Sequence, residues 1–134
     1  MTTRRRLAGV LAGVALLASA VTGCGDTPDV CEDVDALQES ADNLRNAEVG
    51  AGALDTITTE LATIQSTLRE LGTDASEQYA PEVDAVRSEV SDLRASVVAA
   101  TADPSSASLA AVRDDVRALG TAVGNLGDAI AETC

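Results

Sequence analysis

Apolar residues recur at alternating steps of three and four along four segments of the chain, with polar residues between them. The stripes are Val30, Val34, Leu37, Ala41 and Leu44; Leu54, Ile57, Leu61, Ile64, Leu68 and Leu71; Val83, Val86, Val90, Leu93, Val97 and Ala100; and Leu109, Val112, Val116, Leu119, Val123, Leu126 and Ile130. This heptad repeat is typical of α-helices that pack with a gentle left-handed twist, and a strand period of two fits none of the segments. The pattern predicts helices near residues 30–47, 53–71, 75–101 and 104–133.

Capping signals lie at the beginning of three of these segments. Residues 29–32 and 74–77 resemble capping boxes, in which an Asp and a Glu three residues later satisfy free backbone N–H groups. Asp103 followed by Pro104 offers an N-cap and a proline for the first turn. These signals predict where the first, third and fourth helices begin.

Glycine and proline indicate where helices are interrupted. Gly50 and Gly52 separate the first helix from the second, and Gly72 is placed to end the second. Pro81 lies within the third segment, so the third helix is either kinked there or begins there.

The first residues have the layout of an export signal. A basic run, Arg4 to Arg6, precedes an apolar stretch from Leu7 to Ala20 that is short and rich in Gly and Ala for a membrane span. Residues 21–24, Val-Thr-Gly-Cys, resemble the bacterial lipobox at all four positions. The resemblance implies that residues 1–23 are a signal peptide and that Cys24 carries diacylglycerol. The alternative is an ordinary cleaved leader that leaves Cys24 as a free thiol.

This reading divides the chain into a leader (1–23), a short lipid-anchored linker (24–29) and a helical domain (30–134). Two acyl chains, at about 0.8 kcal/mol per buried methylene, anchor a protein stably to a bilayer. We therefore expect the domain at the extracytoplasmic face of the bacterial cell membrane. Thr3 to Leu7 is also similar to a twin-arginine signal, so the export route stays open.

The cysteines bear on both redox state and fold. With Cys24 acylated, Cys31 and Cys134 have only each other, and an oxidising compartment favours a disulfide over two free thiols. A metal pair is a weaker alternative, because the chain has no His and no CxxC spacing. Since Cys31 opens the first helix and Cys134 closes the last, they meet only if the number of helices is even. The prediction is an all-α, antiparallel four-helix up-down-up-down bundle.

Composition limits the class of partner. The 134 residues allow one domain, and its core must be aliphatic because Tyr79 is the only aromatic residue. Without Arg4 to Arg6, six arginines face 22 acidic residues, a net charge of −16. Such a surface repels phosphate backbones and excludes nucleic acid as a partner. We interpret the charge as solubilising, with a site for a cationic partner as the alternative.

Most of the residues that catalysis requires are missing. There is no His and no Lys, so the hydroxyl side chains have no imidazole or amine to activate them. The stripes place nearly every carboxylate outside the core, which disfavours a glycosidase-like pair. The acidic run 32–35 lacks the spaced ligands and glycine of a calcium loop and is better explained as complementing a helix dipole. We expect no enzyme activity, no cofactor and no metal.

Two local features could face a ligand. Tyr79 is either a ligand-facing ring or a plug at the end of the bundle, and the plug is the favoured hypothesis. Gly120, Gly124, Gly127 and Ala131 form a strip of small residues beside the fourth stripe, although each glycine costs a helix about 1 kcal/mol relative to Ala. Close approach of a neighbouring helix would explain the strip. A groove for a partner helix or an acyl chain is the alternative.

The layout is similar to that of a group of small lipoproteins and secreted proteins of high-GC actinobacteria that has no assigned activity. The resemblance rests on Cys31, the segment 77–83 and Cys134, and it implies location and fold only. Our functional hypothesis is a membrane-anchored, non-enzymatic helical module of the cell envelope that acts through contacts with a protein partner. The alternative is a carrier or sensor of an apolar or lipid ligand bound between the helices.

Overall fold

The computed structural model describes residues 27–75 and 77–134, which form four helices joined by short connections. The helices are α1 (Thr27–Asn46), α2 (Leu54–Asp74), α3 (Ala80–Ala102) and α4 (Ser106–Ile130), with 3-10 turns at Ala51–Ala53 and Glu77–Tyr79. Each helix packs against the next one along the chain, and α4 returns to pack against α1. The fold is the predicted antiparallel four-helix bundle, and the described residues include no strand.

The four stripes meet in one aliphatic core. Every stripe residue is buried except Leu109, which is half-buried near the beginning of α4. Leu37, Ile57 and Leu93 are 0% exposed, and burying a side chain of this size contributes about 1.5 to 3 kcal/mol. Hydrophobic burial therefore follows the heptad pattern along the whole bundle. Within 27–75 and 77–134, no helix is both long and apolar enough to cross a membrane.

The predicted boundaries of the first two helices are wrong by a few residues. α1 already includes Thr27, the first described residue, so Asp29 lies within the helix and does not cap it. α2 continues through Gly72 to Asp74, because Gly72 keeps the helical conformation. The Ala75 N–H then donates to the Leu71 carbonyl at 2.7 Å and closes the last turn.

The third helix begins later than the capping signal at 74–77 predicts. Glu77–Tyr79 forms a 3-10 turn, and α3 begins at Ala80 with Pro81 in its first turn. A proline has no N–H to donate, and the first turn of a helix is where that loss matters least. Pro81 therefore lies at the beginning of the third helix and does not kink it.

The beginning of the fourth helix is set by two serines and not by Asp103. Ser105 is the N-cap: its hydroxyl accepts the Ser108 N–H at 3.1 Å, while the Ser108 hydroxyl accepts the Ser105 N–H at 2.9 Å. Asp103 instead ends α3, and its N–H donates to the Ala99 carbonyl at 2.9 Å. A reciprocal pair satisfies two free N–H groups, one more than a single Asp cap would.

Cys31 and Cys134 form a disulfide, with their Cα atoms 5.8 Å apart. The bond joins the first turns of α1 to the residues that follow α4, at what we call the disulfide end of the bundle. Tyr79 lies at this end, is 8% exposed and forms a hydrogen bond with the Thr133 hydroxyl. The ring is therefore a plug over the end of the core, as the sequence favoured.

Candidate functional site

The strip of small residues on α4 lies under side chains of α1. A Cβ atom at Gly120 would collide with the Arg45 guanidinium, and one at Gly127 would collide with the Gln38 amide. Gly124 faces open space between them, in a small cleft of about 190 Å³. Ala131 is exposed just after the end of α4. The strip thus admits two long polar side chains of α1 and leaves only a shallow opening at its middle.

The opening with the largest volume among the described clefts lies beside the Gly120 end of this strip on the same α1–α4 face, and Arg45 borders both. We call it the arginine cleft; its volume is about 790 Å³. Its lining comprises Leu44, Arg45, Ala47, Glu48, Val49, Gly50, Arg113, Val116 and Arg117. The antiparallel fold makes this cleft, because it places the end of α1 beside the first turns of α4.

Hydrogen bonds and ion pairs hold the arginines around the cleft. Arg113 Nη2 donates to the Val49 carbonyl at 2.8 Å, which ties α4 to the loop after α1. Arg45 pairs with Asp42 at 3.5 Å and Arg117 with Asp114 at 3.0 Å. These side chains are 46% to 74% exposed, so each pair contributes at most about 1 kcal/mol.

Arg113 differs from its two neighbours in the cleft. The ion pairs among the described residues involve Arg45, Arg87 and Arg117, and none involves Arg113. Its charge is therefore not neutralised by a carboxylate within ion-pair distance in that part of the chain. Glu48 also lines the cleft, and Arg45 and Arg117 are paired with Asp42 and Asp114, so three carboxylates lie close to the three arginines.

The remaining three arginines line a second, smaller cleft on the α2–α3 face. Its volume is about 290 Å³, and Arg69, Arg87 and Arg94 surround it. Arg87 is engaged within the bundle: it pairs with Asp84 at 3.1 Å and donates to the Leu68 carbonyl at 3.5 Å. In the cyclic order of helices, this face is opposite the α1–α4 face.

The α3–α4 face, which lies between the two faces that carry arginines, is acidic. A cleft of about 670 Å³ there includes the carboxylates of Glu82 and Glu89 together with Thr121 and Asn125. Glu82 Oε2 is buried without a hydrogen-bond partner in the structure. Further along this interface the Ser96 hydroxyl donates to the Asp115 carboxylate. All six arginines of the described chain thus lie on two opposite faces, separated by an acidic one.

Sequence reasoning missed the arginine cleft, although a signal for it exists. Arg113 and Arg117 are one helical turn apart on either side of Val116, and Arg45 is near the end of the first stripe. Combined with an up-down topology, this spacing places three cations together. The net charge alone does not report where the few arginines lie.

Of the other residues singled out from the sequence, Cys24 and the leader 1–23 lie outside the described residues. Glu32 and Asp35 are exposed on the first turns of α1, where acids complement the helix dipole. No group of His, Cys, Asp or Glu side chains among the residues described could hold a metal ion.

Comparison of the chain with protein-family models, with curated proteins and with solved structures finds no match. The similarity to the actinobacterial group therefore stays a prediction, and function has to be argued from the chain's own residues.

Proposed function

We propose that this protein is a membrane-anchored, non-enzymatic binding module of the bacterial cell envelope, which acts through contacts with a protein partner. The observation that carries the proposal is the complete lipobox at 21–24, with residue 27, three residues after Cys24, already within a helix. A lipid anchor so close to a folded bundle keeps that bundle at the membrane surface.

The geometry of the tether supports an upright bundle. From Cys24 to Thr27 the chain reaches at most about 10 Å, at about 3.3 Å per extended residue. The disulfide end, which includes Cys31, then lies next to the lipid. α4 has 25 residues and extends about 38 Å at 1.5 Å per residue. The opposite end, with the arginine cleft, faces away from the membrane.

The packing supports surface contacts over the alternative, a carrier or sensor of an apolar ligand held between the helices. Large side chains from every helix meet at the axis, with Leu37, Ile64, Leu93 and Leu126 all 0% exposed. A ligand between the helices would have to displace several of them. A partner that binds at the surface requires no such rearrangement.

The proposal is tested in cells by fractionation and photo-crosslinking. The chain has no lysine, so amine-reactive reagents cannot report side-chain contacts, and benzoylphenylalanine is placed instead at position 47 in the arginine cleft or at 78 near the disulfide end. We expect the wild type in the membrane fraction with its leader removed, Cys24→Ala either outside that fraction or still carrying its leader, and a discrete protein adduct from position 47. Unchanged membrane attachment together with unchanged mass of Cys24→Ala, or lipid adducts without any protein adduct, would contradict the proposal.

A further inference from the structure

We propose that the cleft between α2 and α3 binds the doubly charged phosphoryl group of a phosphate monoester. We call this opening the α2–α3 cleft; its volume is about 290 Å³, and Arg69, Arg87 and Arg94 surround it. The inference goes beyond the proposed function and does not depend on the lipid anchor.

The balance of charge distinguishes the α2–α3 cleft from the arginine cleft, where three carboxylates lie close to the three arginines. No carboxylate is among the described residues that line the α2–α3 cleft, and the ion pair at its edge joins Arg87 to Asp84 at 3.1 Å. Three guanidinium groups and one carboxylate leave a net charge of +2. The chain outside the leader has six arginines and 22 acidic residues, so this cleft is a locally positive site on a negative protein.

Two of the three arginines have all their side-chain donors available. The guanidinium groups of Arg69 and Arg94 form no ion pair and no hydrogen bond with any group that the structure describes. Arg87, by contrast, spans from α3 to α2, where its Nη2 donates to the Leu68 carbonyl at 3.5 Å. Each guanidinium has five N–H groups in a planar fork that fits the oxygens of a phosphate. Arg69 and Arg94 therefore supply donors from two helices to one cleft.

The uncharged polar groups at the cleft also donate hydrogen bonds. Ser91 lies between Arg87 and Arg94 on one face of α3, four residues after the first and three before the second. These steps correspond to about 6 and 4.5 Å along the helix axis, so one ligand beside Ser91 is within reach of both arginine side chains. Gln65 adds an amide from α2. Donors outnumber acceptors in this lining, which favours a ligand rich in acceptors.

Charge and size select a phosphoryl group among anions. A phosphate monoester carries a charge of about −1.5 to −2 at pH 7, which matches the cleft, and it presents three terminal oxygens on one atom. A diester has only one charge, and a dicarboxylate holds its two charges apart. About 290 Å³ is near the lower limit for small-molecule sites. Leu68 and Val90, each 4% exposed, form an apolar floor that strengthens the attraction between the charges above it.

The position of the cleft admits two sources of this group. Arg69 lies five residues before the end of α2 and Arg87 seven residues after the beginning of α3, about 8 and 10 Å from the disulfide end. A lipid with a phosphate monoester headgroup and a soluble phosphate ester present the same chemistry there. Long polyanions are repelled by the net charge, whereas a single phosphoryl group interacts mainly with charges within the Debye length of about 8 Å.

The test measures the binding of glycerol 3-phosphate to the mature protein in phosphatidylcholine nanodiscs by isothermal titration calorimetry. We expect a dissociation constant below roughly 1 mM, and binding at least about fivefold weaker for dimethyl phosphate and for succinate. Arg69→Gln/Arg94→Gln should weaken the binding of glycerol 3-phosphate at least about tenfold. Arg69→Lys/Arg94→Lys keeps the charge without the forks and should recover only part of the affinity.

The arginine cleft provides a control with the same change in net charge. Arg113→Gln/Arg117→Gln should change the affinity by less than about twofold, because these residues do not line the α2–α3 cleft. Helical circular dichroism of all the double variants confirms that they fold.

A second set of nanodiscs distinguishes the two sources. Phosphatidic acid or, at equal total charge, phosphatidylglycerol replaces part of the phosphatidylcholine. If a lipid headgroup fills the cleft, phosphatidic acid weakens the binding of glycerol 3-phosphate more than phosphatidylglycerol does. Equal effects of the two lipids assign the cleft to a soluble ester. Both results support a phosphoryl site.

Three outcomes would overturn the inference. They are the absence of binding of glycerol 3-phosphate up to roughly 1 mM, equal binding of the three anions, and equal losses in Arg69→Gln/Arg94→Gln and Arg113→Gln/Arg117→Gln. None of them bears on the membrane anchor or on the protein adduct from position 47, so the proposed function stands or fails separately.

Discussion

The two ends of this bundle are closed by different kinds of contact. At the disulfide end, a covalent bond joins Cys31 to Cys134, and the Tyr79 ring covers the core. At the other end, the loops are held by polar contacts, including the pair Ser105 and Ser108 and the bond from Arg113 to the Val49 carbonyl. The disulfide and the Tyr79 ring cover the core at the first end. At the second end, the arginine side chains stay at the surface around a cleft. Covalent closure and polar closure thus lie at opposite ends of the same four helices.

The largest expected effect comes from opening the disulfide end. Cys31→Ser/Cys134→Ser removes a bond across 103 residues of sequence, for which the chain-entropy model gives about 4.7 kcal/mol in a loop of about 100 residues. We expect the free energy of unfolding to fall by about 4 to 5 kcal/mol, measured by urea unfolding followed by circular dichroism. Wild-type protein unfolded in the presence of a reductant is the matched control. A loss below about 1 kcal/mol would show that the four helices hold that end together without the bond.

The next effect comes from the opposite end, at the beginning of α4. Ser105→Ala removes the N-cap and its reciprocal partner contact, and we expect a loss of about 1 to 2 kcal/mol in the same assay. Asp103→Ala should change stability by less than about 0.5 kcal/mol, because the Asp103 side chain does not cap the helix. The reverse order of the two losses would mean that the helix begins at Asp103 after all.

A smaller effect is expected from the plug at the disulfide end. Tyr79→Phe keeps the ring and removes the hydroxyl that contacts Thr133, so a loss of about 1 kcal/mol is expected. Thr133→Val should give a similar loss, and the double variant should lose less than the sum because the two residues share one hydrogen bond. Strict additivity in this double-mutant cycle would show that the bond contributes nothing to stability.

The smallest effect on stability should come from the arginine cleft. Arg113→Gln removes an exposed contact to the Val49 carbonyl, and we expect a loss of about 0.5 kcal/mol or less. Amide hydrogen exchange in the loop around Gly50 should nevertheless accelerate, since that loop loses its tie to α4. Unchanged exchange there would mean that the bond does not order the loop.

The hydrophobic pattern alone was sufficient for the core but not for the boundaries of the helices. Burial follows a local period, so every stripe residue lies in the core, with only Leu109 half-exposed. The boundaries depend on which of several hydrogen-bonding arrangements is more favourable. The serine pair at 105 and 108 replaces the cap predicted at Asp103, and α2 continues past Gly72, against which the Arg87 guanidinium of α3 lies. Which of these hydrogen-bonding arrangements forms cannot be decided from the sequence of a single segment.

The arginine cleft could not be derived from any single helix. Arg113 and Val49 are 64 residues apart in the chain and meet only because α1 and α4 run antiparallel. The information was present in the predicted topology together with the positions of six arginines. Whether three cations then surround an open cleft depends on side-chain packing, which periodicity does not report.

In the membrane-anchored protein that we propose, the disulfide also has a mechanical consequence. A force applied at the end with the arginine cleft acts on α1 and α4, and Cys31 is linked to Cys134 at the far end of the same two helices. The load therefore runs lengthwise down both helices to a single attachment point. With the bond reduced, α1 alone would carry the tension, and the other three helices could detach from it. In the oxidised protein, two helices share the load.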